Sequence, residues 1–158
     1  MLTIGHVPFA VKHCVYDTVL RYVTTSRDLG IVIAQDLSPS IHISEIAAKA
    51  HQRANCVLRT VVSKDINLLM RAFIVYVRPI VEYCSVVWSP SLKKDIELIE
   101  KVQHRLPGLK HMSYNKRLHY IGLPSLELRL LHLDLIYYYK IVFGVVDLNL
   151  SDFLNSAR

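Results

Sequence analysis

From residue 40 onward apolar residues recur three and four positions apart: Ile43, Ile46, Ala47, Ala50, Ala54, Val57, Leu58 and Val61. That spacing puts them on one side of a helix with 3.6 residues per turn. A stripe of this length has to be covered by other elements, so the chain is committed to a fold in which helices pack on helices. Ser38 or Ser40 can accept from the first free amides, and Pro39 suits the opening turn. The opposite face carries Glu45, Lys49, Gln52, Arg53, Cys56 and Arg59. Three cations against one acid suit contact with phosphates, and they serve equally well as an ordinary solvated face.

Further helices follow the same logic. One starts at Ser63-Lys64-Asp65 and runs through Leu68, Leu69, Ala72, Phe73 and Tyr76 toward Pro79. Proline lacks an amide donor and crowds the preceding turn, so a kink or break is expected near Val77 and Arg78, with helix resuming to Trp88. Ser89-Pro90-Ser91 ends that segment and opens a helix over residues 92–106, with Leu92, Ile96, Ile99, Val102 and Leu106 inward. Pro107-Gly108 marks a loop, Ser113 starts a short helix, and Gly122 closes it. A last helix from Pro124-Ser125 to Gly144 has Leu, Tyr and Ile on nearly every side, and this predicts burial on most of its surface, as a hub or as an interface.

The first 37 residues read differently. β-branched and aromatic residues predict short strands at 2–4, 14–16, 20–24 and 29–33, with a turn at Thr25-Ser26-Arg27-Asp28. The expected fold is therefore mainly α, about five helices, with a small antiparallel β hairpin region at the N-terminus; by strict count it is α+β.

Hydrophobic residues make up 52% of the 158, which is greasy enough to imply apolar surface that expects a partner. Arg71, Arg78, Glu82 and Lys140 interrupt the greasiest runs, so no membrane span is expected. Residues 1–5 lack the features of a secretory signal, and the expected location is intracellular, cytoplasmic or nuclear. Cys14, Cys56 and Cys84 are odd in number and far apart, reading as core-filling thiols, and the eight histidines show no ligand spacing; no metal or cofactor is expected. The net charge is +6, and residues 101–120 hold Lys101, Arg105, Lys110, Lys116 and Arg117 with no acid. A basic stretch of this kind suits a polyanion and also suits a plain solvated loop.

Several phrases, taken in order, carry a resemblance. They include Ser26-Arg27-Asp28-Leu29-Gly30-Ile31, Tyr76-Val77-Arg78-Pro79-Ile80-Val81-Glu82-Tyr83 leading to Val87-Trp88-Ser89-Pro90, Ile99-Glu100-Lys101-Val102-Gln103, Leu106-Pro107-Gly108-Leu109, Leu126-Glu127-Leu128-Arg129 and Tyr139-Lys140-Ile141. Together they resemble the region after the catalytic palm in reverse transcriptases of LINE-type, non-LTR retrotransposons. The resemblance implies a primer-grip hairpin at the Asp-Leu-Gly turn, within a remnant of the last palm strands at 1–37. It also implies a helical, thumb-like and connecting region at 38–150 that clasps a template-primer duplex, and a truncated tail at 151–158. Two departures are a direct junction of Arg105 to Leu106, where the family has a few more residues, and Leu130 where a second arginine is common.

On that reading Arg27 faces the primer strand, and Lys49, Arg53, Arg59, Lys101, Arg105, Lys110, Lys116 and Arg117 approach backbone phosphate without reading base sequence. The sequence has no Asp-Asp pair to hold the magnesium of the parent RNA-directed DNA polymerase, so the chain is expected to be no enzyme by itself. Expected partners are an RNA or DNA duplex and, through residues 125–143, the remaining reverse transcriptase or another protein. A helical interaction module or a relic without function is the alternative.

Overall fold

The long amphipathic helix is the centre of the molecule. In the computed structural model, which describes residues 1–5, 13–16, 18–61, 65–104 and 112–148, it is α1 (Ser40–Thr60), preceded by β1 (Cys14–Val15), β2 (Thr18–Val19), β3 (Thr25–Asp28) and β4 (Ile31–Ala34). After it come α2 (Ile66–Tyr76), α3 (Arg78–Glu82), α4 (Ser85–Trp88), α5 (Lys93–His104), α6 (Tyr114–Ile121) and α7 (Leu126–Val142). Five of these helices have eight residues or more, and two are single-turn pieces, so the mainly α architecture with a small β part holds among the described residues.

The α1 stripe is buried as its spacing predicts: Ile43, Ile46, Ala47, Ala50, Ala54 and Val57 form the core with Phe73, Val77, Val81, Trp88, Ile99, Val102, Leu126 and Leu130. Three alanines on that stripe leave room for neighbouring backbones, and α1 packs against α5, α2, α3 and β4. The cap differs from expectation. Pro39 holds the N-cap position without a side-chain bond, and Ser38 Oγ meets the Ser40 amide only at 3.5 Å. The Ser40 hydroxyl instead donates to Asp95 Oδ2 of α5 at 2.6 Å. Asp95 is buried, and a buried carboxylate left without a donor is costly, which is why the serine serves it rather than the helix end.

The hairpin is real but its turn is displaced from the Thr25–Asp28 position that turn-forming side chains predicted. Those four residues are strand β3, paired antiparallel with β4 from Thr25↔Ala34 to Asp28↔Ile31. The chain reverses at Leu29 and Gly30, with φ of 45° and 87°. A two-residue hairpin turn of the twist-compatible type needs positive φ at both central positions, and Gly30 supplies one at no steric cost. Residues 20–24 form no strand; the short pair β1–β2 precedes them, and Leu2 and Val23 share a single parallel bridge. Only β4 is buried, against α1.

The break before Pro79 falls where expected. α2 starts on Asp65, whose side chain accepts from the Asn67 amide at 3.0 Å, and ends at Val77. A second interruption, with Cys84 at φ 50°, separates α3 from α4. At the far end Gly122 closes α6 at φ 66°, and Ser125 caps α7 by accepting from the Leu128 amide at 3.1 Å.

Three expectations about burial are overturned. Among the residues of α7 only Leu126 and Leu130 are fully buried, because the helix packs on α4 and α5 along one stripe and none of the described residues covers its other side. All three cysteines are exposed: Cys14 in the open β1–β2 pair, Cys56 on the charged face of α1, and Cys84 at the left-handed break. Leu92, expected inside, is exposed because it precedes the first turn of α5, while Leu106 lies outside the described residues.

His42 is the buried polar member of α1. Its Nδ1 accepts from the Val32 amide at 3.2 Å, and its ring meets the edge of Trp88 at 5.5 Å. Burial holds the imidazole below its ordinary value of 6.5; Glu45 pulls the other way, and Arg27 and Lys49 reinforce the drop. A base with a depressed folded value contributes stability above the unfolded value, and that stability is lost as pH falls below about 6.5 and through the folded value. Melting temperature should therefore fall more steeply between pH 7.5 and 5 in the native chain than in His42→Asn. Equal slopes in calorimetry would show that His42 does not govern acid sensitivity.

Candidate nucleic-acid interface

The outward face of α1 presents the most ordered cluster of cations. Lys49, Gln52, Arg53 and Cys56 line a shallow groove of about 470 Å³, walled on its far side by Ile80 of α3. Residues four apart on a helix stack one above the other, so Lys49 and Arg53 stand on the same side a turn apart. Both are exposed, and so is Arg59 near the end of the helix, roughly 15 Å along the axis from Lys49 at 1.5 Å per residue. The buried stripe beneath them holds the helix rigidly, so the spacing of these charges is preset. Pro79 starts a new helix, α3, and thereby brings Ile80 to the groove, a wall that a continuous reading of the sequence did not indicate.

Arg27 lies elsewhere in this arrangement. Its guanidinium donates to Glu45 Oε2 at 2.5 Å and to the Gly30 carbonyl at 3.3 Å, tying the hairpin to α1. The hydrogen bond from Arg27 holds the Glu45 carboxyl below its usual range, with Lys49 adding to the effect. The two charges largely neutralise each other, so Arg27 positions the hairpin and offers little net charge to a phosphate. The pair is exposed, which keeps its contribution to stability small.

The second basic segment is divided by the structure. Lys101 on α5 and Lys116 on α6 are exposed, whereas Arg117 is turned inward. Arg117 Nη1 donates to the His104 carbonyl at 3.1 Å and its guanidinium lies 5.7 Å from the centre of the Tyr114 ring. His104 stacks on Tyr114 at 3.7 Å, and the Tyr114 hydroxyl donates to the Glu100 carboxylate. Burial and that bond push the Tyr114 phenol far above its normal value; burial, with Arg117 nearby, lowers the His104 imidazole. Glu100 also accepts from the Glu127 amide at 2.8 Å at the start of α7, and Gln103 donates to the Pro124 carbonyl at 2.9 Å. Arg117, half-buried, is thus engaged at the joint between α5 and α6. Arg105 and Lys110 lie outside the described residues.

Among the described residues no group of three or more His, Cys, Asp or Glu side chains is placed to hold a metal ion. Nor is any described helix long and apolar enough to cross a membrane. No family model matches the chain, and no curated protein or solved structure does.

Proposed function

We propose that this chain is the thumb-side segment of a LINE-type reverse transcriptase, which holds a nucleic-acid duplex by its backbone, independently of base sequence, and performs no polymerase chemistry alone. The observation that carries the reading is the row of Lys49, Arg53 and Arg59 on a helix whose opposite face is fixed in the core. The ordered phrases across the chain supply the family, and the absence of adjacent aspartates from the sequence supplies the lack of chemistry. Each cation that neutralises a phosphate releases counterions, so binding should weaken steeply with salt.

The test is anisotropy of a labelled RNA–DNA duplex titrated with the purified chain across a salt series. Binding is expected at low salt, with loss of affinity as salt rises. Substituting Lys49, Arg53 and Arg59 together by glutamine should flatten the plot of log affinity against log salt by about three, one per lost phosphate contact. Arg27→Gln should leave the slope nearly unchanged, because its charge already faces Glu45. An unaltered slope in the triple variant would remove α1 from the interface and leave Lys101, Arg105, Lys110 and Lys116 as the cations to substitute next. No binding at low salt would refute the duplex-holding role.

A further inference from the structure

The outer side of α7 is an apolar surface that the duplex-holding role does not use. Leu128, Leu131, Leu135, Tyr138 and Val142 stand alternately three and four residues apart, the spacing of a heptad seam, and each is 41–61% exposed. Ile136, Tyr139 and Phe143 widen the stripe, with the Tyr139 and Phe143 rings tilted against each other at 4.2 Å into an aromatic ledge. At 100° per residue, His132 and the hydroxyls of Tyr138 and Tyr139 are the polar groups within this face. The opposite side of the helix is anchored in the core by Leu126, Leu130 and Leu133. We propose that this face is a self-association surface, on which two copies of the chain pair through α7 side by side in parallel.

Area, pattern and charge argue for a second copy as the occupant. The exposed fractions of these eight side chains, at about 200 Å² for a whole side chain, leave roughly 840 Å² of mostly apolar surface on one protomer, near the ~800 Å² per partner that a stable pair buries. Monomers seldom leave that much apolar surface contiguous. A heptad seam is its own complement, since the same knobs and holes recur on both helices.

The charges on the flanks choose the direction. Glu127 and Asp134 lie along one edge of the seam, and His132 and Tyr139 along the other; Arg129 and Lys140 lie further round the helix, away from it. A two-fold axis parallel to the helices sets the acidic edge of one protomer against the acid-free edge of its partner. An axis across them sets acid against acid, which opposes association. Asp134 keeps its own contact with Ser89 and contributes through its field rather than through a new pair.

Sedimentation equilibrium of the full chain tests the pairing. A dimer is expected at micromolar concentration, and Leu135→Glu, which places a charge at the centre of the seam, should weaken it by at least about tenfold, the loss typical of a central contact. Leu135→Ser is a milder companion, and far-UV circular dichroism checks that both variants keep their helices. A monomer at all concentrations, or a dimer that ignores both substitutions, overturns the proposal. Direction is read by oxidative cross-linking in a background with Cys14, Cys56 and Cys84 changed to serine. Leu128→Cys and Val142→Cys should each cross-link with itself; cross-links only between the two variants mixed would mean antiparallel pairing and overturn it. The glutamine variants of α1 leave this face intact, so failure of duplex binding and failure of dimerisation are separate results.

Discussion

Trp88→Ala is expected to cost about 3–5 kcal/mol of folding stability, the range for deleting a large buried aromatic. The indole is 2% exposed, joins the core that also holds Ile43, Val81 and Leu126, and meets His42 edge to face. Its Nε1 donates to the Tyr83 carbonyl at 2.9 Å, on the far side of the left-handed residue Cys84 that parts α3 from α4. Four residues cannot sustain a helix by themselves, because the first turn fixes several dihedrals for one hydrogen bond. Tertiary contacts through Trp88 therefore hold α4 in place. Trp88→Phe keeps much of the apolar contact but strips the donor from Tyr83, and should cost less, about 1–2 kcal/mol more than a simple change of ring volume implies. Urea unfolding followed by far-UV circular dichroism compares the two, since Trp88 is the chain's only tryptophan and its fluorescence is lost in both. Equal and small losses would show that the indole does not organise the α3–α4 break.

A loss of about 2–3 kcal/mol is expected for Glu82→Ala, somewhat under the roughly 3–5 kcal/mol of a fully buried pair because the carboxylate keeps some contact with water. Glu82 Oε1 receives Arg78 Nη2 at 2.7 Å and Nε at 2.9 Å, and Arg129 Nε reaches the same oxygen at 3.3 Å. The Arg78 side chain is only 12% exposed, so removing the carboxylate strands a nearly buried cation. Arg129→Ala should cost under about 1 kcal/mol, since this arginine is more open to solvent and approaches Glu82 less closely. A double-mutant cycle between positions 82 and 78 measures the coupling. A Glu82→Ala loss no larger than that of Arg129→Ala would mean that the guanidinium of Arg78 finds water readily, contrary to its burial.

Much of the helical frame was legible because it follows from local rules. The period of α1, the break before Pro79, the starts of α2 and α7 near Asp65 and Ser125 and the close of α6 at Gly122 each depend on residues within a turn or two of one another. The hairpin turn was misplaced by side-chain preference, because Thr25 to Asp28 carry turn-forming side chains that an exposed edge strand also tolerates; the positive φ that Gly30 permits decided between them.

The candidate interface was half legible. That Lys49, Arg53 and Arg59 share an exposed face follows from spacing alone, whereas the engagement of Arg27 by Glu45 and of Arg117 by the His104 carbonyl depends on partners 18 and 13 residues away on other elements. Burial of the serine-bound Asp95 and of Gln103 was likewise invisible in a linear pattern, since their partners Ser40 and Pro124 lie 55 and 21 residues distant.

By itself, then, the sequence determined the break before Pro79, the starts and stops of most helices and which side of α1 turns inward, because these are contests between neighbouring residues for backbone bonds and apolar cover; the α1 cap and the second break at Cys84 it did not. Only the tertiary structure decided which cations remain available at the surface and which side of α7 stays uncovered. The reason is physical: an apolar stripe states that burial is favourable, while the amount of cover depends on how many other elements reach it. Around α7 the described helices reach one side only, and the side that hydropathy alone would have placed in the core faces outward.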